Sequence, residues 1–135
     1  MKVSFEDTEV RSFAPLPVGR YDSKVTNAQY MPESQRSGEP MIAWEYTVDG
    51  GEYDGRKVFH NTSLQPEAKW STQRTLLALG MTKEEIDALE WDTDDPSTIQ
   101  STLDGLLEKE CVVAVGHRMF EGEKRQQFRN IYPRA

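Results

Sequence analysis

"MIAWEYTVDGGEYDGRKVFHNTSL", residues 41–64, decides how this chain reads. Its first eight residues alternate. Ile42, Trp44, Tyr46 and Val48 share one face of an extended chain, and Met41, Ala43, Glu45 and Thr47 share the other, the period-2 pattern of a half-buried strand. "DGGEYDG" then supplies Asp-Gly and Gly-Gly pairs, which tolerate the positive φ of a tight turn. "RKVFHNTSL" is the return strand, with Arg56, Val58, His60, Thr62 and Leu64 alternating against Lys57, Phe59, Asn61 and Ser63. The stretch predicts a hairpin whose second strand carries cations and an aromatic ring but nothing that looks catalytic.

On the N-terminal side, residues 1–14 are weakly patterned and read as a loose arm or an edge strand. "PLPVG", 15–19, is an extended or turning segment, because each proline biases its neighbour out of the helical region. "RYDSKVTNAQYM" alternates Tyr21, Ser23 and Val25 against Arg20, Asp22 and Lys24, a first strand, and "PESQRSGEP", 32–40, is a polar loop. On the C-terminal side the period changes at Pro66. "PEAKWSTQRTLLALG" places Trp70, Leu76, Leu77 and Leu79 at helical spacing, with Gly80 as terminator. In "MTKEEIDALEW", Thr82 and Glu85 form a capping box. "DDPSTIQSTLDGLLEKE" offers Asp95 as N-cap and Pro96 as first helical residue, for one helix or a helix followed by a turn. "ECVVAVGHRMF" is an apolar strand with a kink at Gly116, "EGEK" a hairpin turn, and "RQQFRNIYP" a last strand alternating Gln126, Phe128, Asn130 and Tyr132 against Arg125, Gln127, Arg129 and Ile131.

The expected fold is therefore mainly β with a helical insertion: three strands, helices over 66–108, then two strands. That is the strand order of a five-stranded OB-fold Greek-key barrel, with helices between strands 3 and 4 and binding centred on strands 2 and 3. At 135 residues the chain is expected to be a single domain, 1–135, with 1–14 as an N-terminal arm.

Charge is unevenly spread. The net charge is −7, but residues 66–110 hold 4 cations against 11 anions, and residues 111–135 hold 5 cations against 2 anions. The acidic middle leaves room for a positive stripe elsewhere. No run of about 18 apolar residues is present, so no membrane contact is expected. "MKVSFEDTEVRSF" lacks the apolar stretch of a signal peptide, and the single Cys111 lies in an apolar run as a small hydrophobe. Both fit a cytoplasmic location.

Chemistry is sparse. His60, His117 and Cys111 are too few and too scattered for a zinc site, and "DTDD", 92–95, lacks the glycine and terminal glutamate of a calcium loop, so no metal and no cofactor is expected. A nuclease built on those carboxylates lacks supporting histidines or lysines. No G-x-S-x-G and no phosphate loop occur. The expectation is a protein that is not an enzyme.

What remains is aromatic rings interleaved with cations. Rings stack on bases while cations follow phosphates, each stack contributing roughly 1–3 kcal/mol. The candidate nucleic-acid contacts are Arg56, Lys57, Phe59 and Asn61 on the third strand, Arg118, Phe120, Lys124, Arg125, Phe128 and Arg129 on the last hairpin, and Arg36 in the loop between the first two strands. Phe59 and Phe128 are equally readable as core residues, whereas Trp44, Tyr46 and Tyr21 read as core.

"LPVGRYDSKV", "MIAWEYTVDGGEYDGRKVF" and "RTLLALGM", in this order and spacing, resemble a family of small bacteriophage proteins, formerly of unknown function and now regarded as single-stranded-DNA-binding OB-fold proteins. The resemblance covers about residues 5–135. It implies non-sequence-specific binding of single strands in phage DNA replication and recombination, in the host cytoplasm. Many single-strand-binding proteins carry an acidic tail that recruits partners. This sequence closes on "RNIYPRA", so either recruitment is absent or the acidic 66–110 segment contacts the replication or recombination proteins. Homo-oligomerisation through an exposed strand edge stays open. The alternative reading is a non-enzymatic phage structural or adaptor protein that uses the same barrel for protein–protein contact.

Overall fold

The computed structural model describes residues 14–33 and 38–134. The strands are β1 (Gly19–Met31), β2 (Met41–Val48), β3 (Lys57–Ser63), β4 (Glu110–Phe120) and β5 (Glu123–Pro133), with α1 (Trp70–Ala78), α2 (Lys83–Asp87) and α3 (Ser97–Asp104) between β3 and β4. The fold is mainly β, one open sheet of five antiparallel strands in the order β3-β2-β1-β4-β5. The chain thus runs three strands outward and returns to lay β4 beside β1, the 4-1-2-3 order of a Greek key.

The hairpin over residues 41–64 forms as its sequence predicts. Ile42, Trp44, Tyr46 and Val48 are buried along β2, and Val58 and Thr62 along β3. Gly50, Gly51 and Gly55 have φ of 99°, 77° and 86°. Asp54 Oδ1 accepts from the Gly50 amide at 2.6 Å, closing the turn. The opposite turn, Glu121-Gly122, has both residues at positive φ, which matches the twist of β4 and β5.

Two bulges bend the sheet. In β1 the register shifts between Val25 and Asn27, so Val25 and Ala28 both face the core. In β5 the partner of Ala114 is Asn130 and that of Val115 is Phe128, leaving Arg129 as the extra residue. Phe128 and Ile131 consequently both turn inward. The strict alternation expected for β5, with Phe128 and Ile131 on opposite faces, is broken here because a bulge changes the side-chain phase by one. β1 also serves two ladders, its N-terminal half pairing β4 and its C-terminal half β2.

The bends bring the two edge strands together without a ladder between them among the described residues. Gln126 joins them: its Nε2 donates to the Lys57 carbonyl at 3.0 Å, and its Oε1 accepts from the Leu16 amide at 3.1 Å. Leu16, fully buried between two prolines, is a core residue that the segment's extended reading did not single out. Its carbonyl accepts from His117 Nε2 at 2.6 Å.

Helix α1 packs against both β3 and β5. Its buried face is Thr72, Thr75, Leu76 and Leu79, while Trp70 and Leu77 are exposed, which corrects the expected apolar stripe. Thr72 is inside with its hydroxyl bonded to β3, while the Thr75 hydroxyl donates back to the Ser71 carbonyl at 3.0 Å. Trp44 Nε1 donates to Thr62 Oγ1 at 2.9 Å, Thr62 Oγ1 lies 2.8 Å from Thr72 Oγ1, and Thr72 Oγ1 donates to the Ser63 carbonyl at 2.8 Å. The Thr82–Glu85 capping box is present at α2. In front of α3 the Asp95 carboxylate accepts from the Ser97 hydroxyl, and Pro96 takes the cap position. Gln100 on α3 uses its side-chain amide like a strand, accepting from the Tyr30 amide at 3.0 Å and donating to the Ala28 carbonyl at 2.9 Å.

Replacing Gln126 with Ala removes the side-chain amide that bridges β5 to both Lys57 and Leu16, leaving the partly buried Leu16 amide without that acceptor. Urea denaturation of Gln126→Ala is expected to give a loss of about 1–3 kcal/mol relative to the wild type. An unchanged midpoint would mean that the seam is held by ring packing alone.

Candidate nucleic-acid interface

The outer face of β2 and β3 is set by the inward residues. With Val58 and Thr62 buried, Lys57, Phe59 and Asn61 must project outward, opposite Thr47, Glu45 and Ala43 of β2. Phe59 is 63% exposed. A phenylalanine left in water forgoes roughly 1.5–3 kcal/mol of burial. Beside it, Lys57 Nζ lies 3.5 Å from Glu45 Oε2, and the same carboxylate accepts from Thr26 Oγ1 at 2.7 Å. Glu45 therefore cancels much of the Lys57 charge. Sequence reasoning placed Lys57 correctly but missed Glu45, whose outward phase on β2 was the available signal.

The second group sits on the β4–β5 hairpin. Arg118 and Arg125 are direct cross-strand partners. Like charges opposite one another are unfavourable unless something negative lies near. Glu123 answers one of them, 3.5 Å from Arg125. Phe120, 50% exposed, lies with its ring centroid 6.0 Å from the Arg118 guanidinium carbon and 5.8 Å from that of Arg125. Both distances are at the limit of cation–π attraction. Lys124 is exposed on the neighbouring position. Arg129, on the bulge, donates to the His117 carbonyl at 3.1 Å and crosses Gly116, where the missing side chain leaves room for it.

The remaining candidates are placed differently. Arg56 is half-buried and donates to the Ala14 carbonyl, on the other side of the strand from Phe59. Phe128 faces inward and stacks on His60 with ring centroids 3.7 Å apart, and Tyr46 stacks on both rings. Arg36 lies outside the described residues. The structure thus brings together Lys57, Phe59 and Asn61 on one strand face, and Arg118, Phe120, Lys124, Arg125 and Arg129 on one hairpin. Arg56 and Phe128 have structural partners.

Burial raises the Tyr46 hydroxyl well above its usual range, and it also shifts His60, whose ring stacks on Tyr46. Burial under Phe128 pushes His60 down from 6.5 to about 4, and its Nδ1 is buried without a hydrogen-bond partner among the described residues. Burial also pushes the Cys111 thiol up to about 12, so it is a core group rather than a nucleophile. Among the described residues no group of three or more His, Cys, Asp or Glu side chains is placed to hold a metal ion. No described helix is long and apolar enough to cross a membrane.

The arrangement is thus a curled antiparallel sheet that displays rings and cations on an edge strand and a hairpin tip. The chain belongs to the family described as "Protein of unknown function (DUF669)", whose model matches residues 3–134. A search of curated proteins finds no match.

The His60 shift fixes a pH dependence. Above pH 6.5 the ring is neutral in both folded and unfolded chains, so it has no effect. Below that, the unfolded chain takes up a proton that the folded chain refuses, and stability falls until about pH 4, where the folded ring titrates as well. The full loss is about 3 kcal/mol. Thermal melts of His60→Phe, which keeps the stack, are expected to fall less steeply than the wild type between those limits. Parallel curves would show that carboxylates alone set the acid response.

Proposed function

We propose that this protein binds single-stranded DNA without sequence preference, using an OB-type barrel in phage DNA replication or recombination. The observation that carries the reading is the pair of large rings held outside the core, Phe59 and Phe120, each beside cations on the outer surface of the sheet. Bases present flat faces whatever their identity, and phosphates present charge at regular intervals, so this chemistry binds strands without reading them.

The barrel reading is supported by the strand order, by helices inserted between β3 and β4, and by the meeting of β3 and β5 at Gln126. In such a barrel the outer face of β2 and β3 and the β4–β5 turn flank one binding surface. Phe59 and Phe120 lie on those two elements. The role requires no bond-making, so no catalytic group is assigned.

An adaptor role is favoured by one other feature. A cleft of about 470 Å³ opens among the helices, lined by Leu76, Ile86, Leu89 and Trp91, with Asp87 at its edge. It lies in the acidic 66–110 segment and suits a protein partner rather than DNA.

Fluorescence anisotropy with labelled oligo-dT of about 30 nucleotides, at low and moderate salt with duplex as competitor, separates the two. Binding that weakens with salt and resists duplex is expected. Phe59→Ala should lower affinity with little change in salt slope, whereas Arg118→Ala and Arg125→Ala should each reduce the slope by roughly 0.7. Absence of binding at low salt would leave the adaptor role.

Glu45 gives an independent check, because removing its charge frees Lys57. Glu45→Gln is expected to tighten oligonucleotide binding and steepen its salt dependence. Unchanged affinity would place the strand away from β2 and β3.

A further inference from the structure

Beside β3 the seam opens into a cleft of about 290 Å³, whose walls are His60, Phe128, Trp70, Arg74 and Arg129. A second cleft of about 340 Å³ adjoins it along α1 and β5, and the two share Trp70, Arg74 and Ile131. In a chain of net charge −7, neither cleft has an aspartate or glutamate among its described lining residues. Trp70 is 63% exposed, although it stands one helical turn from Arg74 on a helix whose other face is packed. Arg74 donates one hydrogen bond, from Nε to Asn130 Oδ1 at 2.8 Å, and Arg129 donates one to the His117 carbonyl. Each guanidinium carries five N–H donors, so both retain donors for an anion.

We propose that this seam is a second nucleotide subsite: one or two nucleotides of the bound strand leave the outer face of β3, cross its edge, and lie with a base against Trp70 and phosphates on Arg74 and Arg129. The proposal rests on the single-strand reading above and extends it. β3 connects the two places, since Phe59 projects from its outer face and the next residue, His60, forms the inner wall of the cleft. The volumes are at the small end of ligand sites, which limits the occupant to a nucleotide or two. The stacked His60 and Phe128 rings give the cleft a flat, uncharged wall at neutral pH. A planar anion is the ligand that uses all of these features, and a nucleotide combines both properties.

The subsite adds length to the footprint, so it should matter for a long strand and not for a short one. Oligo-dT of about 30 and about 8 nucleotides are titrated into the wild-type protein and into Trp70→Phe, Trp70→Ala, Arg74→Ala and Phe59→Ala, following intrinsic tryptophan emission together with anisotropy. Trp44 is buried and Trp91 half-buried, so Trp70 is the tryptophan open to a stacking base. The expected result is quenching of wild-type emission by the long strand, lost in Trp70→Phe. Trp70→Ala and Arg74→Ala should each weaken long-strand binding about five- to tenfold, the effect of losing one stack or one charged contact. Short-strand binding should be unchanged.

Quenching that persists in Trp70→Phe, or long-strand affinity unaltered in Trp70→Ala while Phe59→Ala still weakens it, overturns the subsite and leaves the outer-face reading standing. Failure of the wild-type protein to bind either oligonucleotide overturns both.

Discussion

The meeting of β3 and β5 is the constraint on which the rest of this structure depends. Two edge strands of one sheet lie side by side without exchanging backbone hydrogen bonds among the described residues. A side-chain amide and a pair of stacked rings join them instead. For these groups to reach each other the sheet has to curl, and the bulges at Thr26 and Arg129 provide the bend. The curl encloses Trp44, Tyr46 and Val113 on one side and turns Phe59 outward on the other. Helix α1 then packs across β3 and β5, and its Thr72 hydroxyl bonds the Thr62 hydroxyl and the Ser63 carbonyl of β3.

Charge is distributed with the same economy. The outer face of β2 and β3 is nearly neutral, because Glu45 sits against Lys57. The cations with fewer counter-ions are on the last hairpin, where two arginines oppose each other across the strands. The segment from 66 to 110, which carries the three helices, holds 11 of the 23 acidic residues against 4 cations.

Much of the fold could be read from the residues. Alternation in 41–48 and 56–64 located β2 and β3, with Trp44 and Tyr46 read as core and Phe59 left open, and Thr82 with Glu85 located a helix start. The bulges were not legible, since Thr26 and Arg129 are ordinary strand residues with no glycine or proline to mark a change of phase. Gln126 could not be connected to Lys57, because a bond between residues so far apart leaves no periodic trace. Leu16 was hidden by flanking prolines that signal a turn. Trp70 and Leu77 misled because helical spacing alone does not say which face is covered, and Thr72, bonded to β3, and Thr75 occupied the inside. For the site, alternation put Lys57, Phe59 and Asn61 on one face of β3 but left open whether Phe59 was core; the burial of Val58 and Thr62 turns that face outward. The counter-ion at Glu45 and the tethering of Arg56 needed the neighbouring strands.

β1 is shared by two ladders, and this has a bearing on how the chain reaches its structure. The β2–β3 and β4–β5 hairpins are local and close over short turns, so each can form early and cheaply. The ladder between β1 and β4 pairs Lys24 with Glu110 and must wait for the intervening helices to be gathered in. The β3–β5 seam joins the two edge strands, so its geometry depends on β1 pairing with both β2 and β4.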